Sequence, residues 1–92
     1  MAQSLGKILN QLLDRYGLAE RAKEIEALNL WPEVVGEKIA KVTEARELRE
    51  GRVFVKVANS VWRNELYYLK PEIIKELNLR IGKSIVHDIV FV

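Results

Sequence analysis

The sequence predicts one small α+β domain with the element order ααα-ββ-α-β. Of its 92 residues, 49% are hydrophobic, which is enough for a packed core. The spacing of apolar residues changes from three or four to two near residue 53, as expected where helices give way to strands. No linker or internal repeat divides the chain, so we expect a single domain over residues 1–92.

Three helices are predicted before the strands. The first covers residues 4–16, because apolar residues recur three or four positions apart and Gly17 then favours a left-handed stop. The second begins near residue 19, and its expected inward positions are Ala22, Ile25 and Leu28. Residues 29–32 are expected to interrupt it, since Pro32 lacks an amide proton but suits the first turn of a third helix over 32–42.

A hairpin, a long helix and a last strand are predicted in the second half. Alternating valines indicate a strand over 53–58, and residues 45–48 form a weaker one. Gly51 supplies the positive φ of the turn between them. Ser60 is the expected N-cap of a helix that ends at Gly82 and is kinked or broken by Pro71 near Leu69. Residues 85–92 make the final strand, which is apolar on both faces.

Composition limits the function. The chain has no cysteine, which excludes disulfides and cysteine-ligated metal sites, and we expect a cytoplasmic protein. No apolar run is long enough to cross a bilayer, so no membrane association is expected. The net charge of +2 is weak evidence for an anionic partner.

No catalytic arrangement is evident. His87 is the one histidine, and its neighbour Asp88 would point to the opposite face of a strand, so the two cannot form part of a hydrolytic triad with Ser84. The carboxylates lack calcium-loop spacing, and the glycines are not grouped into a phosphate loop. We therefore expect a binding protein without catalytic residues, metal or cofactor.

The strand over 53–58 carries the candidate binding site. Arg52, Phe54 and Lys56 share one strand face, and an aromatic ring between two cations is typical of a platform for single-stranded nucleic acid. Arg63, in the first turn of the next helix, completes the predicted set. The alternative is that Phe54 is covered by another segment or by a second subunit, and the apolar final strand likewise allows a homodimer.

Three segments resemble the DciA family. WPEVVG at 31–36, followed by Ile39 and Ala40, is similar to the family's W-x-x-V-V-G-x-x-I/L-A. GRVFVKVANSVWRNEL at 51–66 resembles G-x-L-x-V-x-V-x-S-S-x-W-x-x-E-L, with Val53 in place of leucine and Asn59 in place of one serine. Residues 77–82 and 89–91 match the L-N-x-x-x-G and I-x-F ending.

The resemblance implies a KH-like fold, with helices on one side of a three-stranded sheet. It also implies a non-enzymatic role in DNA replication: assisting the loading of the replicative, DnaB-type helicase and binding single-stranded DNA weakly. Residues matching the motifs are expected to specify the fold: Trp31, Gly36, Trp62 and Leu66. A stand-alone nucleic-acid-binding module and a structural, dimerising domain remain alternatives. The G-x-x-G loop of KH domains is absent from the sequence.

Overall fold

A computed structural model describes residues 4–15 and 17–92. Residue 16, the predicted end of the first helix, lies outside the described residues. The elements follow the chain as α1 (Leu5–Arg15), α2 (Leu18–Val35), α3 (Glu37–Ala40), β1 (Thr43–Arg49), β2 (Arg52–Val57), α4 (Ser60–Ile81) and β3 (Asp88–Phe91).

A three-stranded mixed sheet in the order β1-β2-β3 organises the domain. β1 is antiparallel to β2, and β3 is parallel to it. α2 and α4 pack against each other and against one face of the sheet, so the predicted α+β layout is confirmed. The core between them holds Ala27, Trp31, Leu48, Val53, Val55, Val57, Leu66, Ile73, Leu77, Ile81, Val86 and Ile89.

The hairpin turn has the two-residue form that matches the twist of antiparallel strands. Both Glu50 (φ 51°) and Gly51 (φ 79°) adopt positive φ, whereas the sequence assigned this role to Gly51 alone. The register shifts between Ala45 and Glu47, which makes Arg46 the extra residue of a β-bulge.

The α2 region differs most from the prediction. The helix does not stop at residues 29–32 but continues through Pro32 to Val35, because Ala27 and Trp31 are both buried against the core. Gly36, at φ 86° and ψ 163°, makes the break, and the expected third helix over 32–42 is reduced to α3. Two of the three predicted inward residues were also wrong: Ala22 and Ile25 are exposed, whereas Leu28 packs against the core.

Helix α4 corrects two further expectations. Its N-cap is Asn59 and not Ser60, because the Asn59 side chain accepts a 2.9 Å hydrogen bond from the Trp62 amide. The helix is not broken at Pro71 but runs unbroken to Ile81. It ends at Gly82 in the left-handed conformation (φ 83°), as the sequence predicted.

The last strand is shorter than expected. It starts at Asp88, and not at residue 85, because the preceding segment is held by α4. The Asn78 amide donates to the Val86 carbonyl and its oxygen accepts from the Val86 amide, both at 2.9 Å. This pair of bonds anchors the connection between α4 and β3. Within residues 4–15 and 17–92, no helix is both long and apolar enough to span a membrane.

Candidate nucleic-acid interface

Arg52, Phe54 and Lys56 do lie on one face of the sheet. The alternating valines of β2 are buried against the helices, so the residues between them point to the opposite, helix-free side. Arg52 and Lys56 are exposed and Phe54 is half-buried. We call this side of the sheet the outer face.

Phe54 is not buried under a helix. Its cross-strand partners are Glu47 on β1 and Val90 on β3. The Arg49 guanidinium lies 5.4 Å from the centre of the Phe54 ring, a cation–π distance. The ring therefore keeps part of its surface open while a cation holds its position.

Acidic residues share the outer face with the cations. Each of the three predicted residues on β2 has an acidic cross-strand neighbour: Glu44 beside Lys56, Glu47 beside Phe54, and Asp88 beside Arg52. With Arg49 and Arg46 counted, the latter 3.7 Å from the Glu44 carboxylate, four basic side chains accompany three acidic ones. The acidic neighbours leave this set of side chains with a net charge of only +1, so its electrostatic attraction for a phosphate backbone is weak.

Asp88 lies where the outer face meets the edge of the sheet. The Lys70 ammonium reaches it from α4 at 3.2 Å. Partial burial acts to raise the pKa of Asp88, but the Ile89 amide, Lys70 and Arg52 together hold that pKa below its ordinary value. Asp88 is therefore ionised at neutral pH, and it offsets the charge of Arg52.

Arg63 belongs to a different surface. It lies on α4, which packs on the other side of the sheet from the outer face. Arg63, Tyr67 and Lys70 are spaced at i, i+4 and i+7, which places them on one face of the helix. Arg63 thus joins this α4 face and not the β2 trio.

Sequence reasoning missed an aromatic pair on this α4 face. Tyr67 and Tyr68 are 64% and 73% exposed, and their rings meet edge to face at 5.9 Å. The Lys70 ammonium lies 5.0 Å from the Tyr67 ring and 5.8 Å from the Phe91 ring. The sequence does contain a signal for this pair, because the two adjacent tyrosines fall outside the apolar stripe of α4.

The residues expected to specify the fold occupy structural positions. Leu66 is fully buried, and Trp62 is half-buried against the core. Trp31 is buried, and its indole donates a 2.9 Å hydrogen bond to the Thr43 hydroxyl. Gly36 adopts a positive φ. These environments suit a structural role, which stays a prediction.

The described residues form no candidate metal site. Across residues 4–15 and 17–92, no three His, Asp or Glu side chains come close enough to hold a metal ion. The outer face and the α4 face offer groups for binding: cations with acidic neighbours, and half-buried or exposed aromatic rings.

Residues 4–91 match the family described as "Dna[CI] antecedent, DciA". The chain belongs to the DciA family. The match includes all three strands and all four helices, and it confirms the resemblance drawn from the sequence motifs. DciA proteins are not a known class of enzymes.

Several bacterial relatives of this DciA domain are known as UPF0232 proteins. The protein of Corynebacterium glutamicum is 25% identical over 96% of this chain and 49% of its own length. The protein of Rhodococcus jostii is 26% identical over 95% of this chain and 46% of its length. The protein of Streptomyces coelicolor is 30% identical over 94% of this chain and 46% of its own length. The chain thus spans about half the length of the curated relatives it matches.

Proposed function

We propose that this DciA domain is a non-enzymatic accessory protein that binds the replicative, DnaB-type helicase and assists its loading. The observation that carries the proposal is the family match over residues 4–91, since the name of the family refers to helicase loaders. The names of the UPF0232 relatives state no function and add nothing to it. A cytoplasmic location is part of the same proposal.

A pull-down tests the helicase contact. The purified domain is tagged and incubated with the DnaB-type helicase of the same organism at micromolar concentrations, with an unrelated tagged domain of similar size as control. We expect specific retention of the helicase. If both proteins are folded and none is retained, a stand-alone nucleic-acid-binding module becomes the better account.

We further propose weak, sequence-tolerant binding of single-stranded DNA through Arg52, Phe54, Lys56 and Arg63. The first three support it by sharing the outer face, with a half-open ring between two exposed cations. Arg63 would contribute where the bound DNA leaves the outer face and passes over the edge of the sheet towards α4. Because acidic neighbours offset most of the positive charge of the outer face, the expected affinity is modest and falls with salt at a slope set by the few phosphates neutralised.

Fluorescence anisotropy with an oligo-dT probe at low salt tests the DNA site. The variant Arg52→Glu/Lys56→Glu should lose most binding. If both cations contact phosphates in the wild type, the loss of these two contacts should make the salt slope shallower by about 1.4. The matched control, Lys38→Glu/Lys41→Glu, changes the net charge equally at two exposed residues on and beside α3.

Phe54→Ala separates stacking from charge. Loss of a stacked base should weaken binding by on the order of 1–3 kcal/mol with the salt slope unchanged. Should the Lys38/Lys41 control weaken binding while the outer-face variants retain it, the DNA site lies near α3 instead. Arg63→Glu, measured alone, shows whether DNA reaches the α4 face.

A further inference from the structure

Helix α1 carries an apolar stripe that the described part of the chain leaves exposed. Leu5, Ile8, Leu9 and Leu12 recur three or four positions apart, and each is at least 41% exposed, with Leu5 at 72%. Within the described residues, α2 is the one element with which α1 makes more than marginal contact. The molecule is correspondingly long and narrow, 59 by 20 by 20 Å.

A groove with an apolar floor and a charged rim lies elsewhere on the same chain, between α2 and the β1–β2 hairpin. Its volume is about 810 Å³. In the groove, Leu28 is half-buried and Leu48 is buried. Ile25, on the groove wall, is 58% exposed. Among the residues whose side chains the structure describes, none of α1 lines this groove, and α1 makes at most marginal contact with β1.

The charges of helix and groove are complementary. The groove is lined by four carboxylates and two guanidiniums, a net charge of −2. Helix α1 carries two basic residues and one acidic residue, a net charge of +1. Its apolar stripe therefore suits the groove floor, and Lys7 and Arg15 suit the groove's acidic rim, where Glu20 and Glu24 lie on α2.

We propose that the groove is the docking site for α1 of a second copy of this chain. Each copy supplies one helix and one groove, so a reciprocal exchange closes a two-fold dimer and leaves neither surface open. An 11-residue helix is about 16 Å long, and two dockings together approach the lower limit for a specific interface, roughly 1,200 Å². The dimer is therefore weak, and it forms independently of helicase or DNA.

Cysteine cross-linking identifies the occupant, since the chain has no native cysteine. Separate Leu9→Cys and Ile25→Cys variants are mixed and oxidised, and the mixed disulfide dimer is quantified by mass. Val61→Cys, at a 71% exposed residue of α4 outside the groove, replaces Ile25→Cys in the control mixture. We expect the Leu9→Cys/Ile25→Cys mixture to cross-link at least five times more than the control.

Sedimentation velocity supplies the second readout. The wild type should show a concentration-dependent monomer–dimer equilibrium, and Leu9→Glu should raise its dissociation constant at least ten-fold, because a carboxylate then enters an acidic groove. Val61→Glu should leave it unchanged. The proposal is overturned by a monomer at all concentrations or by equal cross-linking of both mixtures. It is equally overturned if a chain carrying both cysteines forms an intramolecular disulfide at low concentration, since α1 would then occupy the groove of its own chain.

Discussion

Replacing Trp31 by phenylalanine tests how the helical layer is fixed to the sheet. Trp31 is 2% exposed, and its indole donates to the Thr43 hydroxyl, which donates in turn to the Ile39 carbonyl at 2.8 Å. Trp31→Phe keeps an aromatic ring in the core but removes the first bond and leaves some volume empty. We expect a loss of about 2 kcal/mol, and about 3–5 kcal/mol for Trp31→Ala.

Thermal and urea unfolding measure this loss. For a domain of this size, about 2 kcal/mol lowers Tm by roughly 8–16 °C. Trp62→Phe is the matched control, because Trp62 is only half-buried, and it should cost less. In a double-mutant cycle, Thr43→Val should cost less in the Trp31→Phe background than in the wild type, because only its bond to the Ile39 carbonyl is then left to lose. Strict additivity, or a Trp31→Phe variant that melts with the wild type, would refute the structural role of this bond.

Three further predictions concern stability. Gly51→Ala should lower the free energy of unfolding in urea by about 1–2 kcal/mol, because φ is +79° and the new Cβ would lie 2.5 Å from a carbon of the His87 ring. Adding His87→Ala should restore only the part of this stability that the clash removes. Asn78→Ala should cost about 3 kcal/mol and speed hydrogen exchange at Val86, whose two backbone bonds it removes. Because the pKa of Asp88 is lowered from 3.8, its stabilisation is complete above that value and is lost as the pH falls through the folded-state pKa. The stability difference between wild type and Asp88→Asn should therefore be largest near about pH 6 and shrink in acid; a constant difference would contradict it.

Local signals predicted the elements whose boundaries are fixed locally. The alternation of β2, the positive φ at Gly51 and the left-handed end of α4 at Gly82 each depend on a few neighbouring residues. Those parts of the prediction were confirmed. The N-cap of α4 was wrong by a single residue, because Asn59 and Ser60 are both good capping residues and the sequence does not choose between them.

Tertiary packing decided the points that sequence reasoning missed. Pro32 and Pro71 both lie inside helices that continue, because buried or half-buried apolar residues on either side of each proline pack against the same core. The buried face of α2 passes through Ala27 and Trp31, while Ile25 remains exposed at the groove. A periodic pattern shows that a helix is amphipathic, but several faces of α2 carried apolar residues and only the contacts select one.

In the candidate site, too, some features could be predicted from the sequence and others depend on tertiary packing. That Arg52, Phe54 and Lys56 share a face follows from the period of a strand and was predictable. Their acidic neighbours follow from pairing between strands distant in sequence, which the residues alone do not reveal. The pairing of Lys70 with Asp88, and its approach to Tyr67, likewise requires α4 and β3 to be placed together.

Titration of the helicase against the fluorescently labelled domain in sedimentation velocity tests the central claim most directly. The free domain, of 10.6 kDa, sediments slowly and is easily distinguished from an assembled helicase. The account predicts that the label moves with the helicase boundary, saturates at micromolar concentrations and does so without DNA. A label that stays in the slow boundary at every helicase concentration, with both proteins folded, would contradict it.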